Sequence, residues 1–205
     1  YSFIYERSKI TIASSLIEPA SGEQLIRFRF TDPAPGIWTL NVFSVGEVHN
    51  GNFNIWLPID DFLDSDVYFL TPSPYITLTE PAMAYNCIAV SAYNSSNNSF
   101  YTESGRGFGV GGILSPALAA PGVGIALPRG TATGSSLAAA ITTGAVAQFM
   151  QWAVIEGNDR NVETREVKNY LVRGASRDAN LSYPNREWGY GRLNIMGTFE
   201  ALINV

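Results

Sequence analysis

Hydrophobic and polar positions change rhythm near residue 70. Before it the rhythm is two. In "LIRFRF" (25–30), Ile26, Phe28 and Phe30 alternate with Arg27 and Arg29, the pattern of a strand with one wet face. After the turn-forming "TDPAPG" comes "GIWTLNVFSV", with Trp38, Leu40 and Val42 on one face. "FNIWL" follows, with Phe53, Ile55 and Leu57 in alternation. Asn50-Gly51 lies between these two runs, and since both residues tolerate positive φ the pair predicts a hairpin. Residues 1–70 are therefore expected to form antiparallel sheet, part of an all-β, jelly-roll-like module.

From about Thr71 the rhythm lengthens. "CIAVSAY" (87–93) predicts a short apolar strand, followed by a long glycine-rich loop, "SSNNSFYTESGRGFGVGG". "ALAAPGVGIAL" (117–127) is a second apolar segment, broken by a Pro-Gly turn. Residues 136–156 predict a helix built largely of small side chains. A second helix is expected near Val162 in "NVETREVKNYLV", with Thr164 or Asn161 as its cap. The tail "WGYGRLNIMGTFEALINV" predicts a glycine-rich turn and a terminal helix. Strands alternating with helices predict an α/β layered fold for 71–205. No internal repeat is present, which excludes a solenoid.

The composition agrees with a folded core: 205 residues, 46% hydrophobic and 15% charged. A net charge of −5 with no run of Lys and Arg speaks against nucleic-acid binding. The single cysteine, Cys87, excludes an internal disulfide and any multi-cysteine metal site, and reads as a buried structural thiol. "LAAAITTGAVAQFMQWAVI" (137–155) is the one stretch resembling a membrane span. Its Gln148, Gln151 and many alanines instead predict a buried helix of a soluble protein. The chain starts at Tyr1 with no basic-then-apolar leader, and so reads as processed or cut from something longer.

The chemistry concentrates in "GSSLAAAITTGAVA" (134–147). A serine in the first turn of a helix sits where free N–H groups and the helix dipole favour developing negative charge. Acyl transfer needs that, because a tetrahedral oxyanion must be held. The same stretch resembles the nucleophile motif of the subtilisin-like serine proteases (subtilases), Gly-Thr-Ser-x-Ala-x-Pro-x-x-x-Gly. Ser136 matches the nucleophile, with Gly134 two before it, Ala138 two after and Gly144 eight after. Ser135 takes the threonine position beside the oxyanion hole, and Ala140 replaces the motif's proline.

Three further stretches resemble the family in order: "CIAVSAYNSSNNSFYTESGRG" (87–107), "ALAAPGVGI" (117–125) and "WGYGRLNIMGTFEAL" (188–202). The β-rich front resembles the clostridial germination-type subtilases, in which a jelly-roll module interrupts the protease domain. The resemblance implies a subtilisin-like parallel-sheet core, C-terminal half only, over 71–205. It also places Pro81 and Ala82, in "TLTEPAMAYNCIAV", near the specificity-pocket wall, and implies a bacterial exported, envelope or spore setting.

The family's Asp-x-Gly and His-Gly-Thr segments have no match, and neither has its oxyanion asparagine. The sole histidine, His49, adjoins the Asn-Gly turn and reads as a solvated turn residue. Asp60, Asp61, Asp64 and Asp66 in "PIDDFLDSDVYF" carry the oxygen ligands that calcium takes, but they match no ligand-loop spacing, and a solvated acidic linker is the favoured reading. No cofactor is otherwise implied. Trp38 and Trp56 are residues that can stack on sugars, though on alternating strands they read as sandwich core. The expectation is a fragment of a serine endopeptidase, acting on protein or peptide substrates. Its triad partners would lie on an N-terminal half of the same protease, and the fragment would be inactive alone. The competing expectation is a non-catalytic scaffold of the same fold.

Overall fold

The computed structural model describes the chain except residues 6, 18–23, 48–50, 64–66, 85, 110–112 and 204–205, and the side chains of Asp60 and Ile203. His49 and the Asn50 half of the expected hairpin turn lie outside the described residues, as do Asp64 and Asp66. Two compact units emerge, Tyr1–Phe69 and Leu70–Val205.

The first unit is a three-stranded antiparallel meander of β1 (Ser2–Tyr5), β2 (Ser8–Ser15) and β3 (Leu25–Thr31). Its register sets Phe3 opposite Ile10, Ile10 opposite Phe30 and Ile12 opposite Phe28. These side chains share one face, while Lys9, Thr11, Arg27 and Arg29 share the other. The alternation expected at 25–30 is thus observed, with Ile10 buried at the centre of the apolar face. Trp38 packs edge-on to Tyr5 and Phe30 at centroid distances of 6.0 and 5.4 Å, its indole N–H donating to the Ala34 carbonyl.

The strands expected in "GIWTLNVFSV" and "FNIWL" are not formed: the described residues of 36–47 and 51–59 join no ladder. A period-two pattern makes a strand only where a neighbouring strand supplies a ladder, and among the described residues none pairs with these runs.

The second unit is α/β. β4 (Val90–Asn94) pairs parallel with β6 (Leu118–Pro121), and antiparallel with the short β5 (Ser99–Phe100). The far edge of β6 is closed by the tail, where Tyr190 and Leu193 donate to Ala117 and Ala119 and Ala119 donates to Gly191. β7 (Ile125–Leu127) and β8 (Gly130–Ala132) form a hairpin leading into α1 (Ser135–Met150). α1 continues as one π-helical stretch, Gln151–Ile155, so the helix expected over 136–156 is present with its last turn widened.

α1 buries Ala138, Thr142, Ala145 and Phe149, which fall on one face at helical spacing. The opposite face, with Ala139, Ala140, Thr143, Gly144 and Ala147, is exposed. Ser135–Ile155 is long and apolar enough to cross a membrane by length and composition. Here it is a domain helix packed against the parallel strands, buried on one side rather than all round. Its distal end anchors the main core. Phe149, fully buried, meets Trp152, Tyr170 and Phe199 at ring distances of 5.5, 5.2 and 6.3 Å.

α2 (Thr164–Arg173) and α3 (Ile195–Ile203) complete the layer. The cap of α2 is Glu163, not Thr164 or Asn161: the Glu166 carboxylate reaches back to the Glu163 amide at 2.8 Å, half of a capping box. The bond from the Glu163 amide to the carboxylate three residues on marks Glu163 as the residue before the first helical turn. Cys87 is half-buried at the approach to β4, not fully enclosed.

Candidate active site

The loop before α1 is set by close packing. Gly122 follows the last residue of β6; its N–H donates to the Tyr93 carbonyl at 3.0 Å and its own carbonyl accepts from Gly134 at 2.8 Å. A Cβ on Gly122 would sit 2.7 Å from the Ala92 Cβ and 2.9 Å from the Gly134 oxygen. Only glycine lets the helix start lie this close to the strands, and Ala92, Ala120 and Ala138 form the small-residue cluster behind it. Thr133 fixes the other side, its hydroxyl accepting from the Gly124 amide at 3.0 Å.

Ser135 and Ser136 follow as the first two residues of α1, both exposed. Gly134 is the N-cap and carries no side-chain cap, so neither serine is consumed in capping its own helix. Thr142 and Thr143, by contrast, spend their hydroxyls on the Ala138 and Ala139 carbonyls one turn back. Among the described residues nothing bonds the Ser136 hydroxyl, which stands at the positive end of a 16-residue helix.

The long loop and the tail are tied together near β4. Arg106 pairs with Glu187 at 2.9 Å, donates to the Thr102 carbonyl at 3.1 Å and lies 4.7 Å over the Phe100 ring. Arg186 stacks over Tyr75 at 4.9 Å, and its carbonyl accepts from Gly107. Trp188 continues the series against Tyr93 and Phe100. Arg192 bonds the Asn98 side chain. Composition gave no hint of these arginine–aromatic contacts. The signal was the clustering of Arg106, Arg186 and Arg192 in loops otherwise rich in glycine and aromatic residues.

Pro81, exposed, and Ala82, half-buried, lie in the turn that precedes β4. They stand outside the Ala92–Ala120–Ala138 cluster that supports Ser136. Among the described residues no group of three or more His, Cys, Asp and Glu side chains is arranged to hold a metal ion. The Tyr101 phenol is raised: the hydrogen bond it donates to Glu103, at 2.6 Å, is the main cause, with desolvation and the carboxylate charge acting in the same direction.

The parallel strand pair, with a helix opening on an exposed serine and a glycine close approach behind it, makes this an α/β protein. Residues 32–191 match the family model described as Subtilase family (Peptidase_S8), and the chain belongs to that family. It is similar to the solved CspB protease of Clostridium perfringens, with 30% identity and a TM-score of 0.79. That match covers 100% of this chain and 45% of the other. It is also similar to the patellamide maturation protease PatA, at 25% identity and a TM-score of 0.50 over 64% of this chain and 48% of that one. The prenylagaramide maturation protease PagA shares the fold, at 24% identity and a TM-score of 0.51, with 63% and 47% covered. The chain thus spans about half the length of the solved proteases it matches. Among curated proteins none matches.

Proposed function

We propose that Ser136 is the nucleophile of a serine endopeptidase whose remaining catalytic groups lie in a part of the protease outside this chain. The observation that supports it best is the exposed Ser136 hydroxyl in the first turn of α1, pinned behind by the Gly122–Gly134 hydrogen bond. In this reading the Ser136 Oγ adds to the carbonyl carbon of a peptide bond while its proton passes to a histidine oriented by an aspartate. The tetrahedral oxyanion is held by the Ser136 backbone N–H and a side-chain amide from the other part. Collapse breaks the C–N bond, the histidine returns the proton to the departing amine, and water then hydrolyses the Ser136 ester by the same steps.

Ser135 and Gly134 frame the oxyanion site, and Pro81 and Ala82 contribute to the substrate pocket. Residues 1–70 are the end of a β-rich insert, and residues 71–205 are the C-terminal half of the catalytic domain. Without the histidine and aspartate, the 205-residue chain does not hydrolyse peptides, because an unassisted serine hydroxyl is a poor nucleophile.

The test is fluorophosphonate labelling of the intact protease, with the modified peptide identified by mass spectrometry. An adduct on Ser136, lost in Ser136→Ala, is expected. A folded protein with no adduct would sink the protease reading and leave a non-catalytic member of the fold.

A further inference from the structure

The far end of α1, roughly 20 Å along the helix axis from Ser136, opens on a cavity of about 340 Å³ lined by Gln148, Gln151, Trp152, Glu156 and Phe199. One wall is aromatic. The Trp152 and Phe199 rings meet edge to face at 6.1 Å, and both rest on the buried Phe149, at 5.5 and 6.3 Å. The polar lining comes from the helix. Gln148 and Gln151 are three residues apart and so share a face, and the π-helical stretch Gln151–Ile155 leads on to Glu156. Single π-helical turns of this kind recur at functional sites. The widened turn is held in place: the Asn158 side-chain amide donates to the Trp152 carbonyl and the Asp159 N–H to the Ala153 carbonyl, both at 2.8 Å.

Among the described residues, none takes the side chains of Gln148, Gln151 or Glu156 in a hydrogen bond or ion pair. The volume falls at the small end of the range usual for ligand sites, about 300–1,000 Å³. The polar groups then select among small ligands. Each carboxamide offers two N–H donors and an acceptor oxygen, whereas Glu156 accepts only. An ammonium or guanidinium has donors alone and would leave the carboxamide N–H groups unmatched. An anion would be repelled by Glu156. A hydroxyl both donates and accepts, and the C–H face of a pyranose ring suits the negative face of an aromatic side chain. We infer that this cavity is a binding site for a neutral sugar, its ring against Trp152 and Phe199 and its hydroxyls on Gln148, Gln151 and Glu156. The site is independent of the reaction proposed for Ser136, since the length of α1 separates the two.

The test is a saturation-transfer NMR titration of the intact protease with the methyl glycosides of glucose, galactose and N-acetylglucosamine, with Nα-acetyl-lysinamide as a cationic control. Saturable binding of at least one glycoside is expected, with a Kd on the order of 1 mM. Replacing both carboxamides, Gln148→Ala with Gln151→Ala, should weaken it on the order of 10-fold or more. Both side chains are exposed, so the urea midpoint should not move. No saturable binding of any of the three glycosides would overturn the inference, and so would binding that survives the double substitution. Preferential binding of the lysine amide, lost in Glu156→Gln, would also overturn it and assign the cavity to a cationic side chain.

Discussion

The Gly134 amide donates to the Gly122 carbonyl at 2.8 Å, joining the end of a buried strand to the residue two before Ser136. The position of the serine is therefore inherited from the sheet through one hydrogen bond and one close approach. Gly122→Ala would place a methyl 2.7 Å from Ala92 and 2.9 Å from the Gly134 oxygen, so strand and helix start must separate. Overpacking of this kind costs about 1–3 kcal/mol. Denaturant unfolding should register that loss, and the rate of fluorophosphonate labelling at Ser136 should fall with it. Unchanged stability together with an unchanged labelling rate would show that Gly122 does not set the serine's position.

Phe149 does the corresponding work at the far end of α1. It is fully buried among Trp152, Tyr170 and Phe199, which join α1 to α2 and α3. Phe149→Ala removes a whole ring from a packed site and should destabilise by about 3–5 kcal/mol. Phe149→Leu, which retains most of the volume, should cost clearly less. Equal midpoints for the two variants in urea would mean that the cavity collapses and that ring packing is not what holds the helices together.

Arg106 makes three different contacts at once, to Glu187, to the Thr102 carbonyl and to the Phe100 ring. Lysine can satisfy the charge but not the planar fork, so Arg106→Lys should destabilise by about 1 kcal/mol. Glu187→Gln should cost less, because that carboxylate is 38% exposed and its pairing is screened by solvent. The order of the two midpoints is the test. A larger loss for Glu187→Gln would put the ion pair, not the guanidinium's geometry, in charge of this junction.

The second unit was legible because its signals are local. Small residues at 134–147 can only mean a helix passing close to something, and Gly122 shows what that is. The β7–β8 hairpin and the pairing of the tail with β6 escaped notice, since each depends on a backbone partner that no spacing reveals. In the first unit the alternation at 25–30 found its ladder, while the equally regular runs around Trp38 and Ile55 did not. Periodicity reports which side of a strand would be dry, and tertiary pairing decides whether there is a strand. The place of Ser136 in the first turn of α1 was readable from its neighbours, whereas the cap at Glu163 was not. A carboxylate three residues ahead of another in a charged stretch looks like ordinary surface until the Glu166 oxygen is seen on the Glu163 amide.

Tyr101 offers a pH test of the long loop. Its hydroxyl donates to the Glu103 carboxylate at 2.6 Å, and this bond, ahead of desolvation and the nearby negative charge, lifts the phenol above its ordinary value of 10.0. A raised folded-state value means that the fold favours the protonated phenol. The contribution is then fully present below pH 10.0 and is lost as pH climbs through the raised value. Absorbance titration near 295 nm, taken as the difference between the native chain and Tyr101→Phe, isolates this one tyrosine. Its midpoint should lie above 10.0, and Glu103→Ala should bring it back toward that value, since one substitution removes both the acceptor and the charge. A midpoint indifferent to Glu103 would mean that the loop does not hold the two side chains together in solution.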